Sequence, residues 1–325
     1  ISATVTQPTA LNPTVVATNV SCFGGNTGAI DLTVTGGTPN YTYVWSANAG
    51  SATTQDVSGL PIGVYTVTIT DANNCTATIS ATVTQPTPLT PTVSVTDVKC
   101  FGGNDGAVDL TVSGGTPSAS GYSYLWSNGM TSQDLNNLAA GIYTVTISDA
   151  NGCTATISAT VAQPTALNPT VIVTNVTCFS GNNGAIDLTV TGGTPGYTYL
   201  WNMGQTTQDR TNLVAGDYTV TITDAHGCTA TISATVTQPT DITPTTIVTP
   251  VVCNGGSTGA IDLTVTGGTP NAAGGYTYNW GGGITSQDRT GLVAGTYTVT
   301  ITDGNGCTKT ISATVTQPTA LNPTV

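Results

Sequence analysis

Eight cysteines are the residues of this 325-residue chain whose type and spacing could do chemistry. They form two sets of four, and each member of the first set that follows a member of the second lies 25 positions after it. No Cys-x-x-Cys spacing accompanies them and the chain has one histidine, so a zinc site is not indicated. Regularly spaced cysteines in even number predict disulfide bonds. The two sets are Cys22, Cys100, Cys178 and Cys253, and Cys75, Cys153, Cys228 and Cys307.

The cysteines follow an internal repeat. Gln-Pro pairs recur along the chain and mark units of 78, 78, 75 and 79 residues. Such units can each hold a core, unlike solenoid repeats of about 20 to 50 residues. Because the first fifteen residues recur unchanged as the last fifteen, we expect the segment to come from a longer array. The predicted parts are the tail of a preceding repeat (1–8), four repeats (9–86, 87–164, 165–239 and 240–318) and the start of a following repeat (319–325).

Composition argues against several classes of function. The chain has 16 acidic and four basic residues, and a net charge of −12 would repel the phosphates of nucleic acids. No run of about 20 apolar residues predicts a membrane span in this segment. Glutamate is absent, and the one histidine, His226, is replaced by Asn73, Asn151 and Asn305 at the equivalent positions. A general base would not be interchangeable with asparagine, so we predict that the protein is not an enzyme.

Within each unit, apolar residues alternate with threonine at a period of two, which is typical of half-buried β-strands. Tyr65, Val67 and Ile69, for example, are separated by single threonines. Gly-Gly-Thr-Pro at 36–39 and an Asp-started turn at 71–74 connect such strands and recur in every unit. The pattern predicts an all-β protein, a tandem array of immunoglobulin-like β-sandwich domains of six or seven strands each, forming an elongated rod.

Aromatic residues recur at fixed places in this pattern. Each unit has one tryptophan on an early strand and a tyrosine at the start of the penultimate strand. In an immunoglobulin-like sandwich the first lies in the core and the second forms a tyrosine corner. The predicted core aromatic residues are Trp45, Trp126, Trp201, Trp280, Tyr65, Tyr143, Tyr218 and Tyr297.

One succession of motifs resembles a known family. Cys-Phe-Gly-Gly-Asn-Thr-Gly-Ala-Ile-Asp at 22–31, Gly-Gly-Thr-Pro at 36–39, Tyr-Thr-Tyr-Val-Trp at 41–45, and the segment 60–71 before Cys75 are similar to the SprB-type repeat of large Bacteroidetes surface adhesins. All four units carry the succession. The resemblance implies a secreted filament or adhesin stalk on the bacterial cell surface, exported by the type IX route and in some members linked to gliding motility.

Two positions depart from the motif. Asn254 stands where the other units have phenylalanine, and Ser180 replaces a glycine in the third unit. Neither change is expected to alter the fold.

The sequence allows two pairings of the cysteines. In an immunoglobulin-like topology the first strand ends at one pole and the last strand begins at the other, and a seven-residue strand at about 3.3 Å per residue spans over 20 Å. A disulfide needs Cα atoms within about 7 Å. This favours bonds between successive repeats, with Cys75 and Cys253 pairing to repeats outside the segment. The favoured pairs are Cys22 with Cys153, Cys100 with Cys228, and Cys178 with Cys307; the alternative is Cys22 with Cys75 and its three copies.

No cofactor is predicted, although calcium is an alternative. Asp71, Asp149, Asp224 and Asp303 recur near the predicted domain poles, where carboxylates could bind Ca²⁺. An aspartate that starts a turn is equally explained by hydrogen bonds to its own backbone.

Two functions fit the sequence. The first is a disulfide-stiffened spacer in a long surface filament, whose partners are neighbouring repeats of the same chain and laterally associated copies. The second is a multivalent array that binds extracellular surfaces or polysaccharides through the tyrosine stripe, formed by Tyr41, Tyr43 and Trp45 at alternate positions of one strand and by their copies in the other units. The second needs exposed aromatic rings, whereas we expect Trp45 and most of Tyr43 to be buried.

Overall fold

The computed structural model describes residues 1–322 and is built almost entirely of β-strands. The chain divides into two compact units, Ile1–Gln163 and Pro164–Val325. Each unit holds two of the four predicted repeats. The last three residues of the predicted following repeat, 323–325, lie outside the described residues.

The first unit contains twelve strands and one 3₁₀ helix, Ala47–Ala49. Its strands are β1 (Asn12–Thr18), β2 (Gly28–Thr35), β3 (Thr42–Trp45), β4 (Val57–Leu60), β5 (Gly63–Thr70), β6 (Thr76–Val83), β7 (Thr90–Thr96), β8 (Gly106–Ser113), β9 (Ser123–Trp126), β10 (Leu135–Leu138), β11 (Gly141–Ser148) and β12 (Thr154–Val161).

The second unit repeats this order over its described residues. Its strands are β13 (Asn168–Thr174), β14 (Gly184–Thr191), β15 (Thr198–Trp201), β16 (Arg210–Leu213), β17 (Gly216–Thr223), β18 (Thr229–Val236), β19 (Thr243–Thr249), β20 (Gly259–Thr266), β21 (Thr277–Asn279), β22 (Arg289–Leu292), β23 (Gly295–Thr302) and β24 (Thr308–Val315).

Each repeat contributes six strands to two antiparallel sheets of three. In the first repeat the sheet orders are β1-β2-β4 and β3-β5-β6, and the other three repeats have the same orders. Every sheet in residues 1–322 draws its strands from a single repeat. This is the strand order of an immunoglobulin-like sandwich with three strands in each sheet, so the predicted fold class is confirmed.

Strand register separates the core from the surface. β5 pairs with β6 over eight residues, from Gly63 opposite Val83 to Thr70 opposite Thr76. Val67 and Ile69 point inward and are fully buried, while the threonines between them face outward. The period-two alternation therefore places the apolar residues of both sheets in the sandwich interior.

The first three sandwiches are each centred on a buried tryptophan: Trp45, Trp126 and Trp201. In the first repeat the Trp45 ring is 2% exposed and packs with Leu32, Val67 and other buried aliphatic residues. Its indole Nε1–H donates a hydrogen bond to the Thr54 carbonyl at 2.9 Å, so the polar atom of the ring is satisfied inside the core.

The tyrosine corner is confirmed in all four repeats. Each corner hydroxyl donates to the carbonyl four residues earlier, which ties the start of the fifth strand to the preceding turn. The bonds run from Tyr65 to Pro61 (2.9 Å), Tyr143 to Ala139 (2.9 Å), Tyr218 to Val214 (2.9 Å) and Tyr297 to Val293 (3.0 Å).

Three predicted core rings are only partly buried: Trp280, Tyr143 and Tyr297. In the first repeat the 3₁₀ helix contacts β5, the strand that contains Tyr65, and in the third the Arg210 guanidinium lies 5.5 Å from the Trp201 ring centroid. The second repeat has neither of these covers.

In the fourth repeat Arg289 approaches Trp280 in the same way, at 5.6 Å from the ring centroid. However, the loop that follows the tryptophan consists of Gly281, Gly282 and Gly283, which have no side chains to complete the cover.

The predicted turns adopt left-handed backbone where glycine or asparagine was expected. Gly36 and Gly37 have φ of 74° and 66°, and Asn74 has φ of 66°. Ser180 also lies in this region, with φ of 58°, where the equivalent Gly24 has φ of 72°. A serine in this region is strained relative to glycine.

Replacing Ser180 with glycine should therefore stabilise the third repeat. Relief of the left-handed strain outweighs the greater flexibility of glycine in the unfolded chain, and we expect a gain of about 0.5 to 1 kcal/mol in the free energy of unfolding. The reciprocal change Gly24→Ser in the first repeat should cost a similar amount, because no atom lies within 4 Å of the Cβ position and only the backbone is affected. Urea denaturation of both variants measures the effect, and equal stabilities for Ser180→Gly and the parent chain would contradict it.

Candidate functional site

The junction between the two repeats of each unit carries a disulfide bond. We define the junction as the tail loop of one repeat, which follows its first strand, and the head loop of the next, which precedes its last strand. In the first unit Cys22 bonds Cys153, with Cα atoms 5.6 Å apart and a sequence separation of 131. In the second unit Cys178 bonds Cys307 with the same Cα separation and a sequence separation of 129. Both bonds join successive repeats rather than the two cysteines of one repeat.

The strand order explains this pairing. The tail loop of the first repeat lies beside the end of β6, because the Val20 N–H donates to the Thr84 carbonyl at 2.9 Å. Cys75 lies immediately before β6, at its other end. Eight residues of extended strand, about 26 Å, therefore separate Cys75 from the pole that holds Cys22. A bond within the repeat would exceed the reach of a disulfide several-fold.

Hydrogen bonds reinforce each junction. The Asn151 side-chain amide donates to the Ser21 carbonyl of the preceding repeat at 3.0 Å. Asn305 donates in the same way to the Thr177 carbonyl, also at 3.0 Å. Each asparagine also contacts a threonine hydroxyl of its own repeat at 3.2 Å, which orients the amide toward the neighbour. The acceptor is a main-chain carbonyl, so the contact does not depend on the side chain at that position.

The head loop takes its shape from the aspartate that starts it. One carboxylate oxygen of Asp149 accepts from the Thr116 N–H at 2.9 Å, and the other accepts from the Asn151 and Cys153 N–H groups at 3.0 and 2.9 Å. The residues that reach across the junction, Asn151 and Cys153, are thus held by the same carboxylate. The three equivalent aspartates accept the same three bonds in their own repeats; they are Asp71, Asp224 and Asp303.

These bonds favour the ionised carboxylate. Burial raises the pKa of Asp149, but the bonds from Thr116, Cys153 and Asn151 lower it by more, so the pKa lies below its ordinary value. The balance is the same for the pKa of Asp224, which is also lowered. For Asp71 the bond from the Thr38 N–H is the largest influence, and its pKa is lowered as well.

The tail loop is held by the glutamine of the Gln-Pro pair. The Gln85 side-chain oxygen accepts from the Gly24 N–H at 2.8 Å, so the end of the repeat anchors the loop that carries Cys22. The other repeats have equivalent bonds from Gly102 to Gln163, Ser180 to Gln238 and Gly255 to Gln317. In the sequence these glutamines served only as markers of the period; their recurrence 60 to 64 positions after the first cysteine of each repeat was the signal of this contact.

The remaining cysteines divide into two kinds. Cys75 and Cys253 are free and exposed, at the head of the first repeat and the tail of the fourth. Cys100 and Cys228 are disulfide-bonded. The pairing of Cys100 with Cys228 stays a prediction.

The head-loop aspartates and Asp56 accept backbone hydrogen bonds. Beyond the head-loop set, Asp56 accepts from the Leu32 N–H at 2.9 Å, and the neighbouring Gln55 amide donates to the Leu32 carbonyl. Together the two side chains pair the N–H and the carbonyl of Leu32, which lies on β2 past the last residue that pairs with β4. In residues 1–322 no three His, Cys, Asp or Glu side chains are grouped so that they could hold a metal ion.

The tyrosine stripe faces the sandwich rather than solvent. Tyr41 and Tyr43 are partly buried against the core that contains Trp45. The Tyr41 hydroxyl donates to the Gly36 carbonyl at 2.5 Å, and the Tyr43 hydroxyl lies 3.4 Å from the Gln55 side-chain oxygen. Burial, followed by the nearby Tyr41 and Asp56, raises the pKa of Tyr43, so it stays a protonated donor at neutral pH. The stripe is therefore not a free platform for sugar rings.

Chemical mapping tests the junction bonds. Proteolysis of the non-reduced protein should yield a peptide containing Cys22 joined to one containing Cys153, and likewise for Cys178 and Cys307, because only these partners lie within disulfide distance. Mass spectrometry before and after reduction identifies the pairs. Recovery of Cys22 joined to Cys75 would exclude the arrangement described here.

Acid should destabilise the protein through the head-loop aspartates. The lowered folded-state pKa of Asp71, Asp149 and Asp224 means that their stabilisation is complete above the unfolded value of about 3.9 and is lost as pH falls through the folded value. We expect equal melting midpoints at pH 7 and pH 5 and a fall below about pH 4. Asp149→Asn should lower the midpoint by several degrees at pH 7 and weaken this acid dependence, because one acceptor oxygen is lost.

Two controls accompany the acid experiment. Asp109→Asn, on the exposed face of β8, should leave the midpoint at pH 7 unchanged. A chelator should also have no effect, because the head-loop carboxylates already accept backbone hydrogen bonds. A lower midpoint in chelator would instead favour calcium, and an Asp149→Asn variant that melts like the parent would contradict the role given to the carboxylate.

No helix in residues 1–322 is both long and apolar enough to cross a membrane.

Comparison with protein families gives one match that recurs along the chain. The family model of the SprB repeat matches residues 14–50, 92–131, 170–206 and 245–285. Each match runs from the first strand of a repeat into the loop beyond its tryptophan position. No curated protein matches the chain significantly.

The solved structures that align with this chain include several multi-domain proteins, some of them described as strings of Ig domains. The three N-terminal domains of the outer capsid protein Hoc of bacteriophage RB49 align with 18% identity and a TM-score of 0.35, covering 70% of this chain and 97% of that one. The eight N-terminal Ig domains of the Down syndrome cell adhesion molecule align with 11% identity and a TM-score of 0.33, covering 96% and 61%. A three-Ig-domain fragment of titin aligns with 15% identity and a TM-score of 0.33, covering 72% and 100%. Likeness at this level has no bearing on function.

Proposed function

Because the chain carries four SprB repeats, we propose that it is a non-enzymatic segment of an extracellular surface protein, in which tandem β-sandwiches serve as a stiffened spacer of a filament or adhesin stalk. The family resemblance extends the proposal to the surface of a bacterium, to export by the type IX route and to a supporting role in adhesion or gliding.

The disulfide junction is the observation that carries this proposal. A flexible string of domains needs no covalent bond between neighbours, whereas each unit here has one, flanked by a side-chain hydrogen bond in the same place. Such a bond limits bending and twisting between the two repeats of a unit. Disulfides also persist in oxidising surroundings, which supports a location outside the cell.

The surface of the repeats suits an extracellular location. Only 6% of residues are charged, so hydroxyl groups must supply much of the polar surface that contacts water. On the outer face of the β5–β6 pair, the Thr66 and Ser80 hydroxyls lie 2.7 Å apart, and the other three repeats have the same cross-strand pair. Hydroxyl pairs of this kind stabilise a sheet without the charges that a changing ionic environment would screen.

The natural partners of the free cysteines are repeats of the same kind. Cys75 occupies the head-loop position that Cys153 and Cys307 use for bonding, and Cys253 occupies the tail-loop position of Cys22 and Cys178. We therefore propose that Cys75 bonds the tail loop of one further repeat and Cys253 the head loop of another.

The polysaccharide-binding alternative is the weaker of the two functions. Its best platform was the aromatic stripe, and the structure buries Trp45 and turns Tyr41 and Tyr43 toward the core. No other observation in the described residues favours it.

Surface labelling tests the proposed function. Antibodies raised against the folded chain should bind intact cells of the source organism, and brief external protease treatment should remove the signal while a cytoplasmic marker stays intact. The recombinant chain should show no saturable binding on a glycan array. Signal that appears only after lysis would contradict the surface location, and saturable glycan binding would favour the alternative.

A further inference from the structure

The junction disulfides also determine which residues tension can reach. When a chain is pulled at its ends, force follows the shortest covalent route, and a disulfide removes from that route every residue within the loop that it closes. In the first unit the Cys22–Cys153 bond closes a loop over residues 23–152. In the second the Cys178–Cys307 bond closes a loop over residues 179–306.

We propose that these two bonds form a covalent tension path that bypasses the sandwiches and makes the chain almost inextensible. The bypassed loops contain β2 to β11 in the first unit and β14 to β23 in the second, ten of the twelve strands of each. Among the strands of residues 1–322, only β1, β12, β13 and β24 remain on the path. The path includes neither Cys100 nor Cys228, so its length does not depend on their bonds.

The strands on the path have almost no slack. A β-strand already rises about 3.3 Å per residue, and a fully stretched chain reaches at most about 3.6 Å. Each path strand is also held along its length, β1 by seven ladder pairs with β2 and β12 by eight with β11. Tension along these strands therefore has little length to release, even at forces that would unfold a sandwich pulled through its own chain.

The segment that links β12 to β13 also has little length to release. Residues 162–167 join β12 to β13 and include Pro164, whose ring restricts φ to extended values. Gln163 is tied back to the Gly102 N–H at 2.7 Å. From Cys153 to Cys178 the chain thus consists of two strands and short connections.

The consequence is a limit on extension. The path comprises residues 1–22, 153–178 and 307–325, about 67 residues, and cannot exceed about 24 nm when fully stretched. The same chain without disulfides could reach about 115 nm. With both bonds intact, the protein cannot be drawn beyond about a fifth of its full contour length.

Single-molecule force spectroscopy of the full chain, held at residues 1 and 325 through cysteine-free tags, tests this inference. Unfolding of one repeat in an ordinary domain string would release about 75 residues, a step of about 26 nm. The oxidised protein should show no step of this size. Once a thiol reductant has cleaved all the disulfides under load, the extension should have risen by about 90 nm, because about 130 residues join the path at each junction.

Matched variants assign the effect to the junction bonds. Cys75→Ser with Cys253→Ser removes only the free thiols and should behave as the parent chain. Cys22→Ser with Cys153→Ser should give unfolding steps and add at least about 100 residues, about 35 nm, to the maximum extension. If that variant fails to fold, as judged by its circular dichroism, reductant added to the folded parent still decides the question.

Steps of about 26 nm from the oxidised parent chain, equal in number to those of the reduced chain, would overturn the inference. The result is independent of the proposed location and function, because it depends only on the connectivity of the purified chain. A chain that extends freely but is found on the cell surface would remove the tension path and leave the spacer function in place.

Discussion

An extended strand separates the two cysteines of every repeat, and the organisation of the junctions follows from that distance. The first cysteine lies beyond the end of the first strand, and the second lies before the start of the last, at the opposite pole of an antiparallel sandwich. Neither can reach the other across eight strand residues. A disulfide therefore has to join neighbouring repeats, and the poles become the places where the chain can be cross-linked.

Both sides of the junction are built to present a sulfur atom in a defined place. On one side a single carboxylate, such as that of Asp149, binds three N–H groups and orients both the cysteine and the asparagine that crosses the junction. On the other side Gln85 holds the loop that contains Cys22. Loops of about 130 residues are closed in this way, for which chain-entropy arguments give about 4 to 5 kcal/mol each. This stabilisation is large for domains of under 80 residues, whose cores are small.

Much of this could be predicted from the sequence because it depends on local rules. Alternation of threonine with aliphatic residues predicted the strands, and glycine or asparagine at fixed places predicted the turns, as the left-handed Asn74 shows. The partial exposure of Trp280 could not be predicted in this way, because it depends on which side chains a separate loop offers to the ring. The contact between Gln85 and Gly24 also joins residues far apart in sequence, and only the folded sandwich brings them together.

The distance between the cysteines of one repeat also constrains how the protein matures. When the chain emerges N-terminus first, Cys75 is available long before Cys153. The first thiol that Cys22 can meet is therefore that of Cys75, which is not its partner in the folded protein. Once the first sandwich has folded, its rigid body keeps these two sulfurs apart until the next repeat is complete. Oxidation that outpaces folding would trap the mispaired bond, whereas folding that comes first leaves each thiol waiting for its correct partner. The order of folding and oxidation thus decides whether successive repeats become joined. A sandwich that folds first prevents the incorrect disulfide by holding its own two cysteines apart.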